Sequence, residues 1–266
     1  MKGPATLKSA EDNWQTDMGA AFPGERVVLR GKDLFSELDG LSWFQYLMFG
    51  ITGDVFSDDK IQLIEAIWSL TVSYPEPRIW NNRVAALTGT ANSTGILGTS
   101  AAIAASEASI FGNQINIKAI DFIKRAASLN DAKSSMEDFV KKEMKKNRII
   151  PGYGRPIVQN DERIQPLIDK AQTLNLTDGL HFKAAKNVEK TLLNSRYRMV
   201  MNASGLAAAL MADIGISNRE YYYYTILAFS AGIIPCHIDA ANKKEGTFFP
   251  LRCNRLNYTG HETRHW

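Results

Sequence analysis

Apolar residues recur every three or four positions along most of this chain, and this spacing limits the fold more than any other feature. In residues 57–72, for example, Ser57 can cap a helix whose apolar residues fall on one stripe. Alternation typical of a strand is found near residues 25–30. The pattern predicts roughly ten helices and an all-α fold. The clearest helical segments are predicted at 33–48, 57–72, 115–129, 134–145, 163–174, 179–193, 196–211 and 219–232.

Residues 83–112 are rich in Ala, Ser, Thr and Gly, which allow helices to approach each other closely. Polar residues within this tract, such as Glu107, argue against a membrane dimerisation motif. The apolar stretch 225–236 is shorter than the roughly 20 residues that a bilayer-spanning helix needs. Residues 1–15 are polar and do not resemble a signal peptide. We therefore expect no membrane segment.

Charge and cysteine content argue against several classes of partner. The 31 basic and 28 acidic residues give a net charge of +3, which is too small to indicate a nucleic-acid-binding protein. Cys236 and Cys253 show no zinc-like spacing, so no metal site is predicted. Two cysteines cannot form a disulfide framework, which favours a cytoplasmic location. The basic run at 141–148 is either a solvated helix end or a phosphate-binding patch.

Residues 151–163, which read PGYGRPIVQNDER, carry the strongest local signal. Gly152 and Gly154 can adopt positive φ and let the backbone approach a ligand closely, although such glycines also form tight turns in any fold. Arg163 carries a planar guanidinium that suits a carboxylate. Arg155 adds a second guanidinium. Because this group keeps its proton in proteins, Arg155 can bind an anion but cannot shuttle protons.

This stretch resembles the signature loop of the citrate synthase superfamily, which reads P-G-F/Y-G-H and, a few residues later, D-P-R. Further segments resemble, in order, the short branch of that superfamily, which comprises the citryl-CoA lyases and the C-terminal module of ATP-citrate lyase. The resemblance therefore covers nearly the whole chain. The other matching segments are 13–16, 28–34, 42–44, 110–112, 201–206, 231–238 and 250–260.

The resemblance implies an almost entirely helical fold with two lobes. The large lobe would comprise residues 1–113 plus 209–266, and the small, CoA-binding lobe would comprise residues 114–208. Members of the superfamily are homodimers whose sites lie in the cleft between the lobes, near the dimer interface. The resemblance also implies a coenzyme A thioester as the substrate and no permanently bound cofactor.

The family's chemistry uses a carboxylate to remove a proton from the thioester's methyl group, and two histidines to stabilise the enol and polarise a carbonyl. This chain departs from that pattern three times. The loop histidine is Arg155, the aspartate is Ser204, and the turn at 74–77 has no histidine. His237 falls in a helix that resembles the family's G-x-x-x-H segment, although a histidine on an apolar helix is also typical of a packed core. We assign Arg155, Ser204 and His237 as candidate catalytic residues.

The binding parts of the pattern are better retained. Arg163 matches the arginine that grips a substrate carboxylate, and we place Asn202, Phe111 and Arg252 beside it as candidate substrate-binding residues. The resemblance assigns the adenine and pantetheine of coenzyme A to the signature loop, and basic residues just upstream are placed to meet its phosphates. The candidate coenzyme A-binding residues are Lys146, Arg148, Ile150, Pro151, Gly152, Tyr153 and Gly154.

Two functions follow from these residues. The first is an enzyme with a diverged site that makes or breaks a carbon–carbon bond on an acyl-CoA or a related polycarboxylate. Its base would then come from elsewhere, with Glu76, Tyr153 or His237 as candidates. The second is a catalytically silent homologue that binds a metabolite or a partner protein.

Overall fold

The structure is a computed structural model that describes residues 3–71, 74–110, 112–131, 135–155, 160–245, 247 and 253–262. It divides into two compact units, residues 1–65 and residues 66–266. The lobe boundaries expected from the resemblance, at 113/114 and 208/209, both fall within the second unit. That division stays a prediction.

The first unit contains a small antiparallel sheet and two helices. Strand β2 pairs with β1 and with β3, so that Ala20 lies opposite Val28. Arg30 follows β2 and donates to the carbonyl oxygens of Gly50 (3.1 Å) and Ile51 (3.2 Å) near the end of α2. This guanidinium ties the sheet to the C-terminal turn of the helix, where a cation is favoured. The elements are α1 (Pro4–Ala10), β1 (Gly19–Phe22), β2 (Arg26–Leu29), β3 (Lys32–Asp33) and α2 (Trp43–Thr52).

The helix predicted at 33–48 is wrong at its start. The Asp33 carboxylate accepts hydrogen bonds from the amides of Phe35 (2.9 Å) and Ser36 (3.0 Å), which holds a turn instead of a helix. The helix begins only after Ser42, whose hydroxyl and backbone amide form a capping box with Gln45. The strand predicted near residues 25–30 is confirmed as β2.

The regular secondary structure described in the second unit is helical, apart from an isolated β-bridge between Tyr153 and Met201. Helix α10 is buried almost entirely and packs against α6 and α9, while α11 packs against α4, α5 and α6. The described residues form eleven α-helices and one three-stranded sheet, which confirms the predicted all-α class. Helix α3 (Asp58–Thr71) crosses the boundary between the units; the helices after it are α4 (Trp80–Thr90), α5 (Gly95–Ala105), α6 (Asn113–Ala127), α7 (Met136–Asn147), α8 (Ile164–Thr173), α9 (Leu180–Leu193), α10 (Ala203–Ile214) and α11 (Asn218–Ala241).

Helix α11 runs nine residues past the end predicted at Gly232 and contains Pro235. By length and composition alone, α11 is long and apolar enough to cross a membrane, and it is the one such helix among the described residues. Core helices of globular proteins meet the same criterion, and 39% of its most apolar window is buried within the protein. The absence of a membrane segment stays a prediction.

The small residues of 83–112 bring α4 and α5 into close contact with α11, as predicted. A Cβ atom on Gly89 would lie 2.5 Å from the carbonyl oxygen of His237, and a Cβ on Gly98 would lie 2.5 Å from its ring. Real Cβ atoms do not approach so closely, so only glycine fits at either position.

Helix α9 is capped by a residue from another helix. Gly179 occupies the N-cap position and has no side chain to offer. The Asp213 carboxylate, near the end of α10, accepts instead from the amides of His181 and Phe182, each at 2.8 Å. The same carboxylate contacts the His181 ring nitrogen Nδ1 at 2.8 Å. A Cβ atom on Gly179 would overlap this carboxylate, so the glycine makes room for the cap.

We expect Asp213→Ala to lower the free energy of unfolding by about 1–2 kcal/mol, because two amides at the start of α9 lose their acceptor. Urea unfolding followed by circular dichroism measures the change. Asp178→Ala is the matched control, since Asp178 also precedes α9 but its side chain is 96% exposed. The control is expected to change stability by less than about 0.5 kcal/mol. Equal losses in the two variants would contradict the capping role.

Candidate functional site

The signature loop docks against the start of α10 through backbone hydrogen bonds. The Gly154 amide donates to the carbonyl of Val200 (2.7 Å), and the Asn202 amide donates to the carbonyl of Gly152 (3.0 Å). The Asn202 side chain donates to the carbonyl of Gly154 (2.9 Å) and accepts from the Gly205 amide (3.2 Å), which caps α10. The helix predicted at 196–211 therefore begins only at residue 203, because the residues before it pair with the loop.

Two glycines allow this docking. Gly152 has φ +86° and Gly154 has φ +80°, both in the left-handed region expected for the loop. A Cβ atom on Gly152 would lie 2.7 Å from the Cα of Gly205, and a Cβ on Gly205 would overlap the Gly152 carbonyl oxygen. The loop and the first turn of α10 thus pack backbone against backbone.

The side chains of Ile150 and Tyr153 anchor the loop in the core instead of facing a ligand. Both residues are buried, and the Tyr153 hydroxyl donates to the carbonyl of Ala185 at 2.8 Å. Its ring packs edge-on against Phe122. Burial raises the pKa of Tyr153 well above its usual value, which removes it as a base. Both residues are buried as a whole, so neither their side chains nor their backbone faces solvent.

Asp161 links the loop to α10 and to Arg163. Its side chain is fully buried, and its carboxylate accepts from Arg163 Nε and Nη2, both at 2.8 Å, and from the Ala203 amide at 2.8 Å. Burial alone would raise the pKa of Asp161, but these hydrogen bonds outweigh it and lower the pKa to about 2. Asp161 is therefore a permanent anion that positions Arg163 and has no spare basicity.

Arg155 pairs with Glu162 in the same cluster. The Nη1 atom of Arg155 lies 2.6 Å from Glu162 Oε2 and donates to the Asn160 carbonyl at 3.1 Å. Its side chain is 22% exposed, whereas that of Glu162 is 64% exposed. The hydrogen bond from Arg155 lowers the pKa of Glu162, so both groups are charged at neutral pH.

Ser204 lies on the first turn of α10, beside the loop. Its hydroxyl donates to Asn116 Oδ1 on α6 at 2.6 Å. An amide oxygen does not remove a proton from a hydroxyl, so this pairing holds the side chain without activating it as a nucleophile or base.

The turn at 74–77, where the resemblance led us to look for a histidine, is held by the buried residue Asn82. The Asn82 side chain donates to the carbonyls of Tyr74 (2.7 Å) and Glu76 (3.3 Å). Burial opposes the charge on Arg163, but Asp161 and, to a smaller extent, Tyr74 outweigh it and raise the pKa of Arg163.

In the part of the chain that the structure describes, His237, Lys146 and Arg148 form no hydrogen bond or ion pair with this cluster. His237 is buried in the packing of α11, and its Nε2 donates to the Ser93 carbonyl at 3.2 Å. Lys146 and Arg148 are exposed at the C-terminal end of α7, where lysine also favours the helix dipole. Phe111 and Arg252 lie outside the described residues. A groove of about 490 Å³ between α7 and the segment after α9 carries Lys141 and Arg196.

Sequence reasoning missed the partners that hold the cluster together. Asp161 stands in the D-x-R part of the loop, so its position was visible but its role was not. Asn116 lies 88 positions from Ser204, and no sequence pattern links the two. Glu162 stands where the signature loop has proline, and that departure was the available signal for its pairing with Arg155.

Among the residues that the structure describes, no group of three or more His, Cys, Asp or Glu side chains is arranged to hold a metal ion. The cluster of two arginines and two acids lies at the N-terminus of α10, where the Asp161 carboxylate accepts from the Ala203 amide.

No family model matches the chain, and no curated protein matches it by sequence. Solved structures do match. Citryl-CoA lyase from Hydrogenobacter thermophilus matches with a TM-score of 0.81 and 23% identity, over 96% of this chain and 97% of that chain. ATP citrate lyase from Methanothrix soehngenii matches with a TM-score of 0.77 and 18% identity, over 98% of this chain but 45% of that chain.

Citrate synthase from Thermotoga maritima also matches, with a TM-score of 0.66 and 16% identity, over 85% of this chain and 60% of that chain. The chain therefore has the citrate synthase-like fold, and the expectation drawn from the signature loop is confirmed at the level of the fold.

We expect Gly205→Ala to lower the free energy of unfolding by about 1–3 kcal/mol, because its Cβ would push the signature loop off α10. Gly95→Ala is the matched control. Gly95 also lies in the first turn of a helix of the second unit, and nothing lies within 4 Å of the position its Cβ would take. Urea unfolding compares the variants, and a Gly205→Ala variant as stable as the control would contradict the close packing.

Proposed function

We propose that this chain is an enzyme with a diverged active site that makes or breaks a carbon–carbon bond on a coenzyme A thioester of a carboxylic acid. The observation that carries the proposal is the signature loop docked on α10 with Arg163 oriented by the buried Asp161. The described hydrogen bonds of Arg163 use Nε and Nη2, which leaves Nη1 for a ligand carboxylate.

The comparisons support the class of ligand. The ATP citrate lyase that shares the fold was solved with citrate and coenzyme A, and the citryl-CoA lyase covers the same length as this chain. In our proposal the thioester passes beside Gly154, which is partly exposed while residues 150–153 are buried, and its phosphates meet the exposed Lys146 and Arg148. The carboxylate lies against Arg163, Asn202 and Arg155.

The proposed base differs from the one in the family pattern. Ser204 donates to Asn116, Asp161 is a permanent anion, and the Tyr153 hydroxyl is buried. Glu76 has a partly exposed carboxylate in the turn at 74–77, and it accepts from the amide (2.8 Å) and Nε (2.9 Å) of Arg78, which lower its pKa while they are in place. We propose Glu76 as the base, released from Arg78 when ligand binds.

A catalytically silent, ligand-binding homologue is the second candidate. It is favoured by the pairing of Arg155 with Glu162 and of Ser204 with Asn116, because both replaced positions have partners within the protein. In that case the chain would bind the same anion without turnover.

We also propose that the chain forms a homodimer through α5 and α11. Both helices leave large apolar side chains uncovered: Ile96 is 81% exposed, Leu97 63%, Ile234 48% and Ile238 54%. The two helices pack on each other, and uncovered apolar side chains on packed helices are typical of an interface between subunits.

We expect wild-type protein to bind citrate or a citryl-CoA-like thioester in calorimetry, and Arg163→Lys to bind at least about tenfold more weakly, because lysine cannot bond Asp161 through two nitrogens and offer a third to the ligand. Lysine keeps a charge beside Asp161, which limits the loss of stability. Arg219→Ala, which changes an exposed arginine on α11, is the control and keeps wild-type affinity.

The same protein is then assayed with a panel of acyl-CoA and oxo-acid pairs. Turnover that Glu76→Gln abolishes supports the enzyme, and binding without turnover supports the silent homologue. Absence of binding to every ligand in the panel would contradict both.

We expect Ile238→Glu to convert a dimer to a monomer in sedimentation velocity, because the carboxylate would be buried without a partner at the interface. Leu193→Glu is the control, since Leu193 is 43% exposed at the end of α9. A wild-type monomer, or equal dissociation by both variants, would contradict this interface.

A further inference from the structure

The Glu162 carboxylate accepts a hydrogen bond from Arg155, as the carboxylate of a ligand would. One oxygen of an exposed carboxylate lies 2.6 Å from Nη1 of a guanidinium that is itself largely covered. The other acidic group nearby, Asp161, is 3.8 Å from the same nitrogen and is already bound to Arg163. The two positive and two negative groups of the cluster therefore cancel in the free protein.

The two members of the pair differ in how readily they can separate. Arg155 is 22% exposed and is also held by the Asn160 carbonyl, so it stays in place. The Glu162 side chain is 64% exposed. It can turn into water at little cost, because exposed ion pairs contribute little to stability.

We propose that Glu162 is an internal competitor that covers Arg155 in the free protein and is displaced by the carboxylate of an incoming ligand. The inference rests on the proposed binding of a carboxylic acid at this cluster. It assigns Glu162 a role in selectivity, because an anionic ligand can replace the glutamate on Arg155 and a neutral acyl group cannot.

The competition sets the affinity that is measured. A site that is open for only a fraction of the time binds its ligand more weakly by that fraction. If the pair is closed for about nine-tenths of the time, removing the glutamate charge tightens ligand binding about tenfold. A merely structural role for Glu162 predicts the opposite sign, since loss of a structural contact weakens binding.

The experiment is a double-mutant cycle with citrate as the probe, measured by calorimetry at fixed pH and salt. The variants are Glu162→Gln, Arg155→Gln and the two together. We expect Glu162→Gln to bind citrate about tenfold more tightly than wild type, and to bring no gain when Arg155 is already glutamine. Asp239→Asn is the matched control, because Asp239 is also 64% exposed and pairs with a cation, Lys243.

The outcomes separate this inference from the proposed function. If wild type binds citrate and Glu162→Gln binds it equally or more weakly, the competitor role is overturned and the proposed function stands. If the gain persists in the Arg155→Gln background, or also appears in Asp239→Asn, it reflects overall charge and again overturns the competitor role. If no variant binds citrate or a citryl-CoA-like thioester, both proposals fail.

Discussion

The contact between Gly152 and Gly205 is the constraint on which the site depends. Because neither residue has a side chain, the backbone of the signature loop can lie directly against the backbone of the first turn of α10. That approach brings the Gly152 and Gly154 carbonyls to Asn202 and brings Asp161 to the amide of Ala203. Arg163 is then oriented by Asp161, so the positions of the candidate anion-binding groups follow from a contact that involves no side chain.

The four charged residues of the cluster form two ion pairs that differ in how firmly they are held. The buried Asp161 binds Arg163 through two hydrogen bonds, which fixes the position of the guanidinium. Arg155 and Glu162 form a pair with one exposed partner, which can open. The first ion pair holds the site in place, whereas the second can separate. The four residues nevertheless lie within nine positions of each other in the sequence.

Much of the fold could be predicted from the sequence because the apolar stripes of α3, α8 and α9 fix which residues are helical. Helix starts were harder to predict, since caps and not stripes decide them. Ser42 and Asn202 each cap the start of a helix through hydrogen bonds that periodicity does not show. The site was partly visible as well: the loop glycines and Arg163 stand in one short stretch, whereas the pairing of Ser204 with Asn116 depends on helix packing.

The cap of α9 has a consequence for how this part of the protein folds and opens. Its acceptor, Asp213, is 32 residues away from the His181 amide and belongs to the last turn of α10. On its own, α9 lacks the acceptor for these two amides, so its first turn is less stable until α10 has docked. Opening α10 also uncaps α9, so the amide hydrogens of the two helices should exchange with solvent as one cooperative unit. Because the loop rests on the opposite end of α10, that unit also carries the candidate site.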